Sequence, residues 1–144
     1  MRIEVLHGVN LDQLGRRDAG HYGRFTLEQL ELRIETWGTE LGFTTGFFQS
    51  NFEGAFVERL HGLRDNADGL ILNPGAWTHY AYALHDALEI AGLPAVEVHL
   101  SDIDSREGWR HQSVIRPLCF ATVSGKGPEG YREALELLKR ELER

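Results

Sequence analysis

Residues 69–100, GLILNPGAWTHYAYALHDALEIAGLPAVEVHL, decide the architecture. GLILN (69–73) is a short apolar run of strand length, and Pro74-Gly75 ends it with a turn. A helical pattern follows from about Thr78 to Gly92, with Thr78 as candidate cap and His79 projecting from the first turn. AVEVHL (95–100) is a second β-type run. Strand, helix and strand in so short a span predict a crossover between parallel neighbours.

The same alternation extends both ways. RIEVL (2–6) is a strand candidate, and TLEQLELRIETWGTELG (26–42) an amphipathic helix with capping-box spacing at Thr26 and Gln29 and a terminal Gly42. FTTGFFQ (43–49) is a strand, after which Ser50 and Glu53 have capping-box spacing for a helix to about Ala67. A polar stretch (101–116) precedes a strand at 118–123 and a helix over Pro128 to Glu143. Five strands alternating with helices, without repeat or linker, predict one α/β domain over residues 1–144. The architecture expected is a flavodoxin-like three-layer α/β/α sandwich with a five-stranded parallel sheet. Its ligands would sit beyond the carboxyl ends of the strands. Asn10, Asn73 and His99 with Ser101 follow the first, third and fourth strands, and should converge on one crevice.

Composition narrows the function. Hydrophobic content of 42% and charged content of 26% are those of a soluble globular domain. A net charge of −7 argues against nucleic acid as partner. No apolar run approaches bilayer length and the first residues lack a signal-peptide core, so no membrane role is expected. The single cysteine, Cys119, has no disulfide partner and reads as a buried reduced thiol, which suits the cytoplasm. HGVNLDQLG lacks a dinucleotide fingerprint and SGKGPEG lacks the Walker spacing, and no Ser/Thr/Gly-rich loop follows the first strand to hold a flavin phosphate. The seven histidines show no metal-ligand spacing, so no metal or cofactor is expected. His61 and His85 read as surface or packing residues, His21 as loop filling; His111 stays open.

Three segments carry chemistry. His99 ends a β-run with Glu97 two residues earlier on the same face, and a carboxylate beside an imidazole suits a general acid. The competing reading is a plain sheet-end histidine. SREGWR places Arg106 and Arg110 four apart, on one face if helical; for Arg106 a solvated basic edge competes. GRRDAGHYG (15–23) sets Tyr22 near Arg16 and Arg17. Either Tyr22 packs under the loop, or it is a base. One arginine at about 4 Å, at an effective dielectric of about 20, stabilises a negative oxygen by about 4 kcal/mol before desolvation. Ionising a free phenol at neutral pH needs roughly the same amount.

Taken together, HGVNLDQLGRRDAGHYG, QSNFEG, LILNPGAWTHYAYALHDAL, EVHLSDIDSREGWRHQS and GYREALELL resemble the type II 3-dehydroquinate dehydratases, over nearly the whole chain. The resemblance implies dehydration of 3-dehydroquinate to 3-dehydroshikimate, in the shikimate route to aromatic compounds, without a cofactor and in a dodecamer built from trimers. It implies Tyr22 as base, Arg17 rather than Arg16 as the arginine stabilising the phenolate, Asn10 as holder of a water that stabilises an enolate, His99 as acid and Glu97 as its orienting group. Asn73, His79 and Arg110 would bind substrate hydroxyls, Leu100 and Ser101 its carboxylate, and Asp86 would reach a neighbouring subunit's site. On one continuous helix His79 and Asp86 would be separated by about 10 Å of rise, too far for one small ring to touch both. The chain departs from the usual pattern at His7, Val9, Asp12, Phe52, Tyr80 and His85. The rival reading is a non-catalytic relative that senses a small cyclic carboxylate; retention of Tyr22 and His99 argues against it.

Overall fold

A computed structural model describes residues 1–144. Five strands, β1 (Arg2–His7), β2 (Thr44–Gln49), β3 (Gly69–Asn73), β4 (Ala95–His99) and β5 (Ala121–Ser124), form one parallel sheet in the order β2-β1-β3-β4-β5. The longer helices are α2 (Leu27–Glu40), α3 (Glu53–Leu63), α4 (Tyr82–Ala91) and α5 (Glu129–Leu142), with α1 (Ala19–Tyr22) a single turn. The flavodoxin-like sandwich expected from the sequence is thus the fold observed.

Strand alternation separates two cores. Ile3, Val5 and Ile71 face one way and pack with Leu30, Ile34, Leu135 and Leu138 of α2 and α5. Leu6, Leu70 and Leu72 face the other way and pack with Phe56, Leu60, Leu84 and Leu88 of α3 and α4. The chain leaves β1 for β2 on one side and returns to β3 on the other, so the loops after β1 and β3 diverge and open a crevice at the carboxyl edge. Those loops touch at their base. Gly8 N–H donates to the Asn73 carbonyl at 2.8 Å, and a Cβ on Gly8 would lie 2.1 Å from the Pro74 carbonyl oxygen.

The Thr26–Gln29 capping box is present, with both reciprocal bonds (3.1 and 3.0 Å). The second box is not. Ser50 Oγ accepts from the Phe52 N–H at 3.0 Å, a tight local turn, so Phe52 precedes α3, which ends at Leu63 rather than near Ala67. The helix expected from Thr78 also starts late, at Tyr82, after a 3₁₀ turn over Gly75–His79. The Thr78 carbonyl accepts from Val114 N–H at 2.7 Å instead of from the next helical turn, and its hydroxyl is committed to Glu97. His79 and Asp86 therefore lie on different elements, and their separation is not set by the rise of one helix. The last strand begins at Ala121 because Arg116–Leu118, with Pro117 inside, turn first. Cys119 is half-buried before it, and burial pushes its thiol up to about 12, leaving it un-ionised.

No helix is long and apolar enough to cross a membrane.

Candidate active site

A cavity of about 110 Å³ opens beyond the carboxyl ends of β1, β3 and β4, where the fold predicts a ligand. Asn10, Asn73, His99 and Ser101 all line it, as do Arg17, Tyr22, His79, Leu100, Arg106 and Arg110.

One wall is built around the phenol. The loop carrying Tyr22 is bracketed by Gly15 (φ 93°) and Gly23 (φ 80°), and a Cβ on Gly23 would meet the Phe25 ring at 2.3 Å. Asp18 caps the single turn α1 through Gly20 N–H at 2.8 Å. This aims the Tyr22 hydroxyl inward, where Arg17 Nη2 donates to it at 2.8 Å and Arg106 Nη1 at 2.6 Å. Two guanidinium donors thus converge on one phenolic oxygen. Arg16 is exposed and makes no such contact.

The opposite wall is a buried dyad. Glu97, fully buried on β4, accepts from His99 Nε2 at 2.5 Å, from Thr78 Oγ1 at 2.7 Å and from Ser113 Oγ at 2.8 and 2.9 Å. Burial alone would push this carboxyl up; the hydrogen bond and charge of His99, with the two hydroxyls, outweigh it and hold the group below the usual carboxylate range. Glu97 is thus an anion, and His99 Nε2 carries a proton toward it.

His79 is held differently. Burial lowers it below the ordinary histidine range, opposed by its bond to the Gln112 carbonyl and reinforced by His99 and Arg110. Its Nδ1 donates to that carbonyl at 2.6 Å, which leaves a neutral ring with Nε2 as a free acceptor. Asn73 is anchored at both ends of its amide: Oδ1 accepts from Gly75 N–H at 3.2 Å and Nδ2 donates to Tyr131 Oη at 3.3 Å. Asn10 is the one non-glycine residue with positive φ (67°), and its N–H donates to Asn51 Oδ1 at 2.8 Å. Asn51 is itself tied to Asp12 (3.1 Å) and Gln49 (3.2 Å).

The family model described as dehydroquinase class II matches residues 1–139. The chain belongs to this family. The 3-dehydroquinate dehydratase of Thermotoga maritima is 49% identical over 143 residues, covering 99% of this chain and 98% of the relative. That of Deinococcus radiodurans is 48% identical over 140 residues, covering 96% and 98%. The crystal structure of the type II dehydroquinase from Propionibacterium acnes superposes with a TM-score of 0.93 at 38% identity, over 96% of both chains.

Within this class II dehydroquinase chain the cavity gathers nearly all the residues singled out from the sequence. Glu97 stands behind His99 rather than in the lining, and Asp86 does not line the cavity: its side chain is 75% exposed on α4, paired with His85 at 3.0 Å. Arg106 overturns the solvated-edge reading, since its side chain is 9% exposed and bonded to Tyr22 and, at 3.3 Å, to Ser101. Arg106 and Arg110 reach the cavity from loop and 3₁₀ turn, not from one helical face. Asn51, Ser113 and Tyr131 support the site although the sequence pattern assigns them no role; each lies in a stretch that carries the resemblance, QSNFEG, EVHLSDIDSREGWRHQS and GYREALELL respectively.

His7, one of the departures from the usual pattern, lies fully buried at the end of β1, in register with Asn73. Burial lowers it from 6.5 to about 3, and its ring nitrogens have no hydrogen-bond partner, the Glu31 carboxylate being 3.7 Å from Nε2. The unfolded chain therefore binds a proton here that the folded chain refuses. Stability is fully present above about pH 6.5 and falls as pH drops toward 3, by up to about 1.4 kcal/mol per pH unit. Urea unfolding at pH 7 and pH 5 is expected to show this slope, reduced in His7→Asn; an unchanged slope in that variant would place the acid sensitivity elsewhere.

Proposed function

We propose that this chain is a 3-dehydroquinate dehydratase that forms 3-dehydroshikimate through an enolate, with Tyr22 as base and His99 as acid. One observation carries the reading: a doubly arginine-bound phenol and a carboxylate-backed imidazole line the same small cavity. That the relatives from Thermotoga maritima and Deinococcus radiodurans are 3-dehydroquinate dehydratases supports the substrate.

The Tyr22 oxygen takes a proton from the carbon beside the ketone, and the electron pair moves onto the carbonyl oxygen. Arg17 and Arg106 favour the anionic base. Asn10 holds a water against the enolate oxygen. The pair then returns to form the carbon–carbon double bond while the carbon–oxygen bond to the leaving hydroxyl breaks. His99 gives that hydroxyl its proton from Nδ1, because Nε2 is engaged by Glu97. Water departs, Tyr22 is left protonated and His99 neutral, and solvent resets both. Glu97 keeps the imidazole aimed and offsets its charge. Neutral His79, with Asn73 and Arg110, binds substrate hydroxyls, and Leu100 and Ser101 take the carboxylate.

The chemistry needs no cofactor, and the protein works in the cytoplasm as a dodecamer of trimers. Asp86, exposed and outside its own cavity, reaches a neighbour's site in that assembly. Light scattering coupled to activity should show trimers and activity lost together on dilution; a fully active monomer would contradict it. For the reaction itself, purified protein mixed with 3-dehydroquinate should raise ultraviolet absorbance as the conjugated product accumulates. Binding without product would favour the sensor reading instead.

A further inference from the structure

Residues Gln112–Val114 lie outside the cavity lining, yet each makes one contact that bears on it. The Gln112 carbonyl accepts from His79 Nδ1 at 2.6 Å, the Ser113 hydroxyl donates to Glu97, and Val114 N–H donates to the Thr78 carbonyl at 2.7 Å. One short segment thus touches both histidine systems.

We propose that Ser113, with Thr78, is a positioning residue of the dyad, fixing the Glu97 carboxylate so that it aims His99 at the substrate. The proposal rests on the reading of His99 as acid. A hydroxyl has one proton, and a carboxylate only accepts. Thr78 Oγ1 and Ser113 Oγ lie 3.2 Å apart, and both protons are directed to Glu97 rather than to each other. Ser113 Oγ in turn accepts from Arg116 N–H at 3.1 Å, which fixes the hydroxyl from behind. Ser113 supplies the bond to Oε1, whereas Oε2 is shared by Ser113, Thr78 and His99. Without Ser113, Oε1 would be a buried anionic oxygen with no donor, free to turn with its partner imidazole.

The titratable groups facing this carboxylate are His99 on β4, His79 from the turn after β3 and Cys119 from the segment before β5. His79 and Cys119 are neutral, so His99 and the two hydroxyls alone compensate the charge. Loss of a hydroxyl moves the carboxyl upward, and the acid limb of the rate profile should follow it toward neutrality.

The test uses steady-state pH profiles of the assembled enzyme. Ser113→Ala should lower kcat by about tenfold or more with little change in KM, with the acid limb shifted upward, and Ser113→Thr should restore both. Thr78→Val, which keeps the shape and removes the other hydroxyl, should shift the limb in the same direction and serves if Ser113→Ala does not fold. In a His99→Ala background, Ser113→Ala should cost little more. Wild-type kcat and an unshifted limb in these variants, alongside a crippled His99→Ala, would overturn the proposal and leave the acid assignment intact. A fully active His99→Ala would overturn both.

Discussion

Tyr22→Phe is expected to lower kcat by about 10³-fold or more, because it deletes the base and leaves the cavity's shape unchanged. No other group stands in its place. The phenol oxygen is fixed by Arg17 at 2.8 Å and Arg106 at 2.6 Å; in the variant Arg17 loses its acceptor, while Arg106 keeps Ser101 Oγ at 3.3 Å. Arg17→Ala and Arg106→Ala each remove one of two charge-assisted donors, and each should lower kcat by about 10²- to 10³-fold. Arg17→Lys should recover part of the rate, since lysine keeps the charge and loses the planar fork. Product absorbance under saturating substrate measures all four. More than a tenth of wild-type kcat in Tyr22→Phe would remove Tyr22 from the role.

His99→Ala is the second large effect, expected at about 10²- to 10⁴-fold in kcat with substrate still bound. The proton it gives is needed only as the carbon–oxygen bond breaks, so the lost interaction belongs to the transition state and KM should change little. The variant also strips Glu97 of its 2.5 Å partner, leaving a buried carboxylate with two hydroxyl donors. Some loss of stability should accompany the loss of rate, and a thermal melt separates the two. Near-normal turnover would show that another donor protonates the hydroxyl.

How far the sequence could be read depended on the range of the contacts. The Thr26–Gln29 cap lies within three residues, and its pattern predicts the structure directly. The buried strand GLILN and the polar residues that follow the first, third and fourth strands predict where the cavity lies, because sheet topology carries them to one edge. Thr78 departs from the cap expected of it for a physical reason. It has the composition of a cap, but its carbonyl and hydroxyl are drawn to Val114 and Glu97, distant contacts that outcompete the helix. Ser50 failed as a cap because its hydroxyl closes a shorter turn. Arg106 reaches Tyr22 across 84 residues of sequence, and Ser113 reaches Glu97 across 16, so no local periodicity could pair them. Tyr131 reaches Asn73 from 58 residues away, on a helix whose pattern shows only a core face.

The central claim, that Tyr22 removes the proton in a step separate from loss of water, is tested most directly by hydrogen exchange. 3-Dehydroquinate incubated in deuterated water with each variant can be followed by NMR at the carbon beside the ketone. His99→Ala keeps the base, so it should exchange that hydrogen while releasing little product, whereas Tyr22→Phe should do neither. Exchange by Tyr22→Phe at the wild-type rate would contradict the account.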